Sequence, residues 1–248
     1  MLPKKPWLRS LIGIAFFVGL YLLYWVVYHF SREAHAYWIS GEGIRGAEDR
    51  AYEWIGFLGF LGAGIFSLLS LLYRKKMPKF VALYLLGIGF FFIVCAGEEI
   101  SWGQRVFGWE TPESFAEANE QGETNLHNLE NLPIHPKDLV SWFMKLFGIG
   151  LPIIFYFVFK GRDHLLRRCV APLSLVPLFI FVEIYNKLEK PFVPIARDLF
   201  DRAAGLLVRR QHEEIMEMYW GLCVLFAAIG IYLFWRRREP GESFPEHE

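Results

Sequence analysis

Six stretches of the chain are long and apolar enough to cross a bilayer: Leu11 to Tyr28, Ile55 to Leu72, Phe80 to Gly97, Leu139 to Phe159, Val170 to Tyr185, and Met218 to Trp235. A spanning helix needs roughly 20 mainly apolar residues and closes its backbone hydrogen bonds within itself. The pattern therefore predicts an all-α fold, a polytopic membrane helical bundle forming a single transmembrane domain over residues 1–238, with six transmembrane helices and short outer interfacial helices. The fifth stretch is the shortest and carries Pro172 and Pro177, which remove backbone donors and predict a kink. In the second, Gly56, Gly59, Gly62 and Gly64 predict close approach of a neighbouring helix.

The polar connections set the expected sides. Short loops rich in Lys and Arg stay in the cytoplasm. Arg74, Lys75, Lys76 and Lys79 follow the second stretch, and Lys160, Arg162, Arg167 and Arg168 follow the fourth. With six spans, Lys4, Lys5 and Arg9 at one terminus and Arg236, Arg237 and Arg238 at the other share that side, so both termini are expected in the cytoplasm. The other connections, Phe30 to Trp54, Glu98 to Asp138 and Asn186 to Glu217, are mixed or acidic and face outward, to the periplasm of a bacterial inner membrane. Within the last, Leu199, Phe200, Ala203, Leu206 and Leu207 recur at helical spacing from Ile195 to Arg210, as in a helix lying in the membrane interface. The basic start and first apolar run lack a small-x-small cleavage site and read as a retained helix. The tail after Arg238 is expected to be disordered.

Composition agrees with this layout: 54% of the 248 residues are hydrophobic and 18% aromatic, above the usual range of soluble domains. Cys95, Cys169 and Cys223 lie in apolar stretches and imply neither disulfides nor a zinc-binding pair. Lys145, about two turns into the fourth stretch, is expected to snorkel to the interface. Nothing suggests nucleic acid, and no phosphate-cradling loop, His-Glu-x-x-His or Gly-x-Ser-x-Gly occurs.

Candidate chemistry begins where the third stretch ends, at Gly97-Glu98-Glu99-Ile100-Ser101-Trp102-Gly103-Gln104-Arg105. Two adjacent carboxylates at the C-terminal end of an apolar helix are costly and opposed by the helix dipole, so they call for a compensating group. A continuing helix would align Glu98, Trp102 and Arg105 on one face. Farther on, Thr111 suits an N-cap, Pro112 the first helical position and Glu113 the first turn of a helix running to about Gln121. If helical, the stretch after Gly122 would put Glu123, His127 and Glu130 on one face, residue types that bind metals or move protons. Glu183 closes the fifth stretch, and His212, Glu213, Glu214 and Glu217 precede the sixth. All of these groups fall in one outer layer. Acidic outer loops are also common in membrane proteins, and the dipole alone favours Glu213 and Glu214 at a helix start.

The Glu98 to Arg105 block, the Thr111-Pro112-Glu113 step and the Glu123-Thr124-Asn125-Leu126-His127-Asn128 block together resemble a group of bacterial multi-spanning membrane proteins. The similarity covers roughly residues 90–132 and implies a bacterial inner-membrane location without assigning roles. The three-histidine pattern of alkaline-ceramidase-type membrane hydrolases is not matched, because these histidines lie in loops. The expected function is an enzyme or binding protein acting on a lipid or lipid-linked substrate. In it Glu98, Glu99, His127 and Glu214 are the catalytic candidates. Arg105, Trp102, Gln104, Arg209 and Arg210 would receive substrate, and Glu99, Glu123, His127 and His212 would hold a divalent metal. A structural or assembly subunit docking a membrane-protein partner is the alternative. A transporter ranks third, because ionisable groups are nearly absent from the span midplanes.

Overall fold

The computed structural model describes residues 6–36, 51–119, 122–126, 129, 133–160, 164–200 and 202–239. The chain is an all-α membrane helical bundle, with five helices among the described residues long and apolar enough to cross, where six were expected: Trp7–Phe30, Ala51–Lys76, Lys79–Glu99, Pro136–Val158 and Gln211–Arg237. A sixth apolar helix, Leu173–Asn186, is shorter. Of the tail expected to be disordered, residues 239–248, all but Glu239 lie outside the described residues, as do His127 and Glu130.

Helix α1 (Pro6–Phe30) is followed by the single turn α2 (Arg32–His35). Helices α3 (Ala51–Leu69) and α4 (Lys79–Glu99) form an antiparallel pair joined by a 3₁₀ stretch, Ser70–Lys76. Short α5 (Gln104–Phe107) and α6 (Glu113–Ala116) lead to α7 (Pro136–Lys145). Then come α8 (Leu151–Val158), α9 (Val176–Asn186), α10 (Glu189–Leu199) and the long α11 (Arg202–Arg237).

Small residues organise the centre, where α3 packs against both α4 and α11. A Cβ on Gly59 would fall 2.5 Å from the Gly221 backbone, and one on Gly221 2.7 Å from the Gly56 carbonyl oxygen. On the other side of α3, a Cβ on Gly64 would meet the Gly89 carbonyl oxygen of α4 at 2.9 Å. These are the close approaches that the glycine spacing predicts, and in hydrocarbon such packing supplies much of the association energy.

The fourth apolar stretch is one continuous helix carrying a π-helical turn, and the fifth is interrupted at its start rather than kinked. Between α7 and α8 the chain makes a π-helical turn, Leu146–Gly150, and Gly148 lies so close under Phe179 that a Cβ would fall 2.2 Å from its ring. The non-helical segment Cys169 to Ala171 is buried beside it. Irregular backbone at membrane depth needs protein partners. Ala171 donates its N–H to the Phe147 carbonyl (3.3 Å), and Tyr84 its hydroxyl to the Cys169 carbonyl (2.6 Å). Ser10 donates to the Ser174 carbonyl (2.5 Å). Pro172 and Pro177 sit at the starts of the following 3₁₀ turn and of α9, where a missing N–H costs nothing. They begin the helix, and the expected kink is replaced by a late start.

Two further expectations change. The segment from Ile195 to Arg210 is not one interfacial helix: it is divided between α10 and the first turns of α11, which fold against each other. Gly205 permits this, since a Cβ there would meet the Val193 carbonyl oxygen at 3.1 Å. Lys145 pairs with Glu183 (3.6 Å) and donates to Ser141 (2.9 Å), so an ion pair across helices replaces simple snorkelling.

Candidate functional site

Helix α4 stops at Glu99, and the chain then turns through three left-handed residues, Ser101 (φ 47°), Trp102 (φ 57°) and Gly103 (φ 76°). Left-handed geometry costs a non-glycine residue roughly 1–2 kcal/mol, so the turn needs support from its surroundings. It finds that support by folding back. Trp102 lies over Gly97, where a Cβ would fall 2.8 Å from its ring, and donates its indole N–H to Glu98 Oε1 (2.7 Å). The other Glu98 oxygen accepts the Leu126 N–H (2.6 Å).

The rest of the two sequence blocks knits together in the same way. Ser101 donates its hydroxyl to the Glu123 carboxylate, which also accepts from Asn125 Nδ2 (2.8 Å). Asn119 Nδ2 donates to the Asn125 carbonyl and side-chain oxygens (both 2.9 Å) and accepts the Glu123 N–H at its own Oδ1 (3.1 Å). Gln104 accepts the Thr124 N–H (2.8 Å) and donates to Thr111 Oγ1 (2.7 Å). Ser101, Asn119, Glu123 and Asn125 are all buried.

This network corrects several expectations. The helix does not continue past Glu99, so Glu98, Trp102 and Arg105 do not share a helical face. Glu123 sits in a bend as an acceptor for its neighbours rather than on a helix with His127. Thr111 bonds Gln104 instead of capping α6, which ends at Ala116. Trp102 and Gln104 are engaged within the fold.

Beside this loop lies a cavity of about 170 Å³ between α3, α4, α7 and α11. Its polar wall consists of Glu98, Glu99, Lys137 and Glu217, and the rest is apolar, including Phe60, Phe91 and Trp220. Glu99 reaches the cavity because Gly56 leaves room: a Cβ there would fall 2.9 Å from Glu99 Oε2. The charges acting on Glu99 are, in order, Glu217, Glu214, Glu53 and Lys137. Glu217 is 8% exposed, and among the described residues neither it nor Glu99 has a hydrogen-bond or ion-pair partner. Lys137 sits at the rim and pairs with the exposed Glu213 (3.3 Å).

Of the expected catalytic residues, Glu98 and Glu99 meet here. Glu214 is within electrostatic range of Glu217 and Glu53 but stands outside the cavity wall. Lys137 was not among the residues expected from sequence, and Glu217 was expected in the outer layer of carboxylates without a role of its own. Pro136, at the first position of α7, was the available signal for Lys137: it starts the helix three residues before the apolar stretch begins.

His212 occupies different surroundings. It is 3% exposed and stacks on Tyr185 (centroids 4.3 Å apart, planes at 14°). Its neighbour Gln211 accepts hydroxyl hydrogen bonds from both Tyr24 and Tyr52 (each 2.7 Å). Glu99, Glu123 and His212 thus sit in a cavity, a loop network and an aromatic stack. Among the described residues no group of three or more His, Cys, Asp or Glu is arranged to hold a metal ion. Arg105 lies on α5, and Arg209 and Arg210 on α11, with side chains outside the described set.

Comparison with protein-family profiles, curated proteins and solved structures gives no match.

Proposed function

We propose that the protein is a membrane-embedded enzyme performing acid/base chemistry on a lipid or lipid-linked substrate, at the outer face of a bacterial inner membrane with both termini in the cytoplasm. One observation carries this reading: Glu99 and Glu217, which have no hydrogen-bond or ion-pair partner among the described residues, share a largely apolar cavity with Lys137. Two carboxyl groups lining one largely apolar cavity offer a general acid and a general base to a substrate that enters it. Glu99 and Glu217 take these roles, Lys137 receives an anionic group, and Glu98 positions the loop through Trp102 and Leu126. A divalent metal would find only carboxylates here.

The test is time-resolved lipid mass spectrometry of the full-length protein in nanodiscs of bacterial lipid extract, with elemental analysis of the same sample. Conversion of one lipid class by the wild type, lost in Glu99→Gln and Glu217→Gln, is the expected result. No conversion by the wild type, together with co-purification of another membrane complex, would replace the enzyme by an assembly subunit.

A further inference from the structure

We infer that the cavity takes the headgroup of a zwitterionic phospholipid bearing a primary amine, with its ammonium between Glu99 and Glu217 and its phosphate at Lys137. The inference rests on the lipid-site reading above and narrows it to one headgroup chemistry.

Charge balance supplies the first step. Glu98 is occupied by the Trp102 and Leu126 donors, and Lys137 has an exposed rim partner in Glu213. Among the described residues no donor lies within hydrogen-bond distance of Glu99 or Glu217, the lysine on the same wall being bonded to Glu213, and Glu217 is more than nine-tenths buried while lining the cavity. Buried carboxylates call for a cation or donors, so the missing ligand brings N–H groups and positive charge. The wall agrees, because the rings of Trp220, Phe60 and Phe91 offer the apolar and π surface that an ammonium tolerates.

Lys137 supplies the second step. A purely cationic ligand would leave that lysine unused, and a purely anionic one would face two carboxylates. The exposed pair with Glu213 is weak and can yield to a phosphate. A ligand carrying both charges on a short tether satisfies both sides. A primary ammonium also donates hydrogen bonds to carboxylates, whereas a quaternary one cannot. The bilayer is the source, since Val94 and Leu139 line the cavity and are themselves exposed on the apolar surface of the bundle.

Full-length protein in nanodiscs of equal phosphatidylethanolamine, phosphatidylcholine and phosphatidylglycerol tests this by mass spectrometry of the lipids retained on extraction. The wild type should retain phosphatidylethanolamine about tenfold over the other two, the discrimination expected from one charge-assisted contact. The Glu99→Gln/Glu217→Gln double variant should retain the three in bulk proportion, and Asp198→Asn, on exposed α10, should keep the preference. Retention by the wild type in bulk proportion overturns the inference with no variant needed. So does an undiminished preference in the double variant. Displacement by soluble glycerophosphoethanolamine would keep the headgroup and change its source to water. If Glu99→Gln abolishes lipid conversion while the wild type retains lipids unselectively, the headgroup is wrong and the acid/base reading stands. Selective retention without conversion gives the reverse.

Discussion

At one end of the bundle, α3 and α11 each contribute to two polar regions, and those regions treat buried polar groups in opposite ways. Toward α1, Tyr24 and Tyr52 both donate to Gln211 Oε1 at 2.7 Å, so each hydroxyl has its acceptor. Toward α4 and α7, Glu99 and Glu217 line a cavity and have no hydrogen-bond or ion-pair partner among the described residues, the cavity's Lys137 being paired with Glu213. Gln211 and Glu217 are six residues apart on the same helix, about 240° around it, and so look to different neighbours. In a membrane protein, then, the density of polar residues does not mark a site. A polar group the fold has left unmatched does, because burying it without a partner has a cost that selection for stability alone would remove.

The harshest way to break the comparison is to part the helices that carry both regions. Gly221→Val would put a branched side chain where a Cβ alone already falls 2.7 Å from the Gly56 carbonyl oxygen, a backbone atom that cannot swing away. Overpacking of this kind costs about 3 kcal/mol or more. The variant should lose its cooperative thermal transition or elute as aggregate in size exclusion. A transition within a few degrees of wild type would mean that the α3–α11 contact is looser than its geometry.

A gentler break acts on the matched region alone. Gln211→Leu removes the acceptor shared by two buried hydroxyls and should lower stability by about 2–4 kcal/mol, read as a fall in melting temperature in detergent. Adding Tyr24→Phe and Tyr52→Phe should recover most of that loss, since apolar groups in place of both partners leave less unsatisfied. If the triple variant is as unstable as the single, the hydroxyls matter less than the shape of Gln211.

What could be read from the sequence follows from the range over which each signal acts. Apolar stretches and glycine spacing are local, and they give the bundle and its α3–α11 seam. The left-handed turn at Ser101 and Trp102 is not local: it is held by Glu98, Glu123 and Asn125, with Asn119 and Leu126 bonded to these, and no rule of spacing foresees that reversal. Glu98 and Glu99 look equivalent in sequence, yet one anchors the loop and the other faces the cavity. Helical spacing was legible from Ile195 to Arg210, but not that residues 202–210 run straight on into the last span while packing against α10. Pro172 and Pro177 could be seen to interrupt the fifth stretch, but not that Tyr84 and Ser10 would satisfy carbonyls of the segment around it.

His35 packs against the Tyr24 side of the matched region without being matched itself, its Nε2 having no hydrogen-bond partner among the described residues, and it gives that region a pH dependence. It is 1% exposed, lies edge-on to Tyr24 (4.4 Å) and Tyr28 (5.2 Å), and burial pushes its pKa down to about 4. The folded chain therefore keeps this ring neutral while an unfolded chain protonates near pH 6.5. The stabilisation is complete above that pH and is lost as pH falls through the window toward 4, to a limit of about 3 kcal/mol. Carboxylates titrate in part of the same window, so the measurement is a difference: wild type minus His35→Phe, by melting temperature at pH 7 and pH 5. The wild type should lose more, by about 2 kcal/mol. Parallel losses would show that the ring is hydrated.

The smallest expected effect separates the two regions most sharply, because it differs in sign. Glu217→Gln keeps the size of the side chain and removes a carboxylate that has no partner, so stability should stay level or rise by up to about 1 kcal/mol, where Gln211→Leu lowers it. Were Glu217 one half of a hidden structural pair, its neutralisation would strand the other half and cost about 3 kcal/mol or more. Melting temperatures of the two variants in one detergent decide between these outcomes. A level or raised value, together with weaker retention of phosphatidylethanolamine, identifies Glu217 as a group kept for its ligand at the expense of the fold.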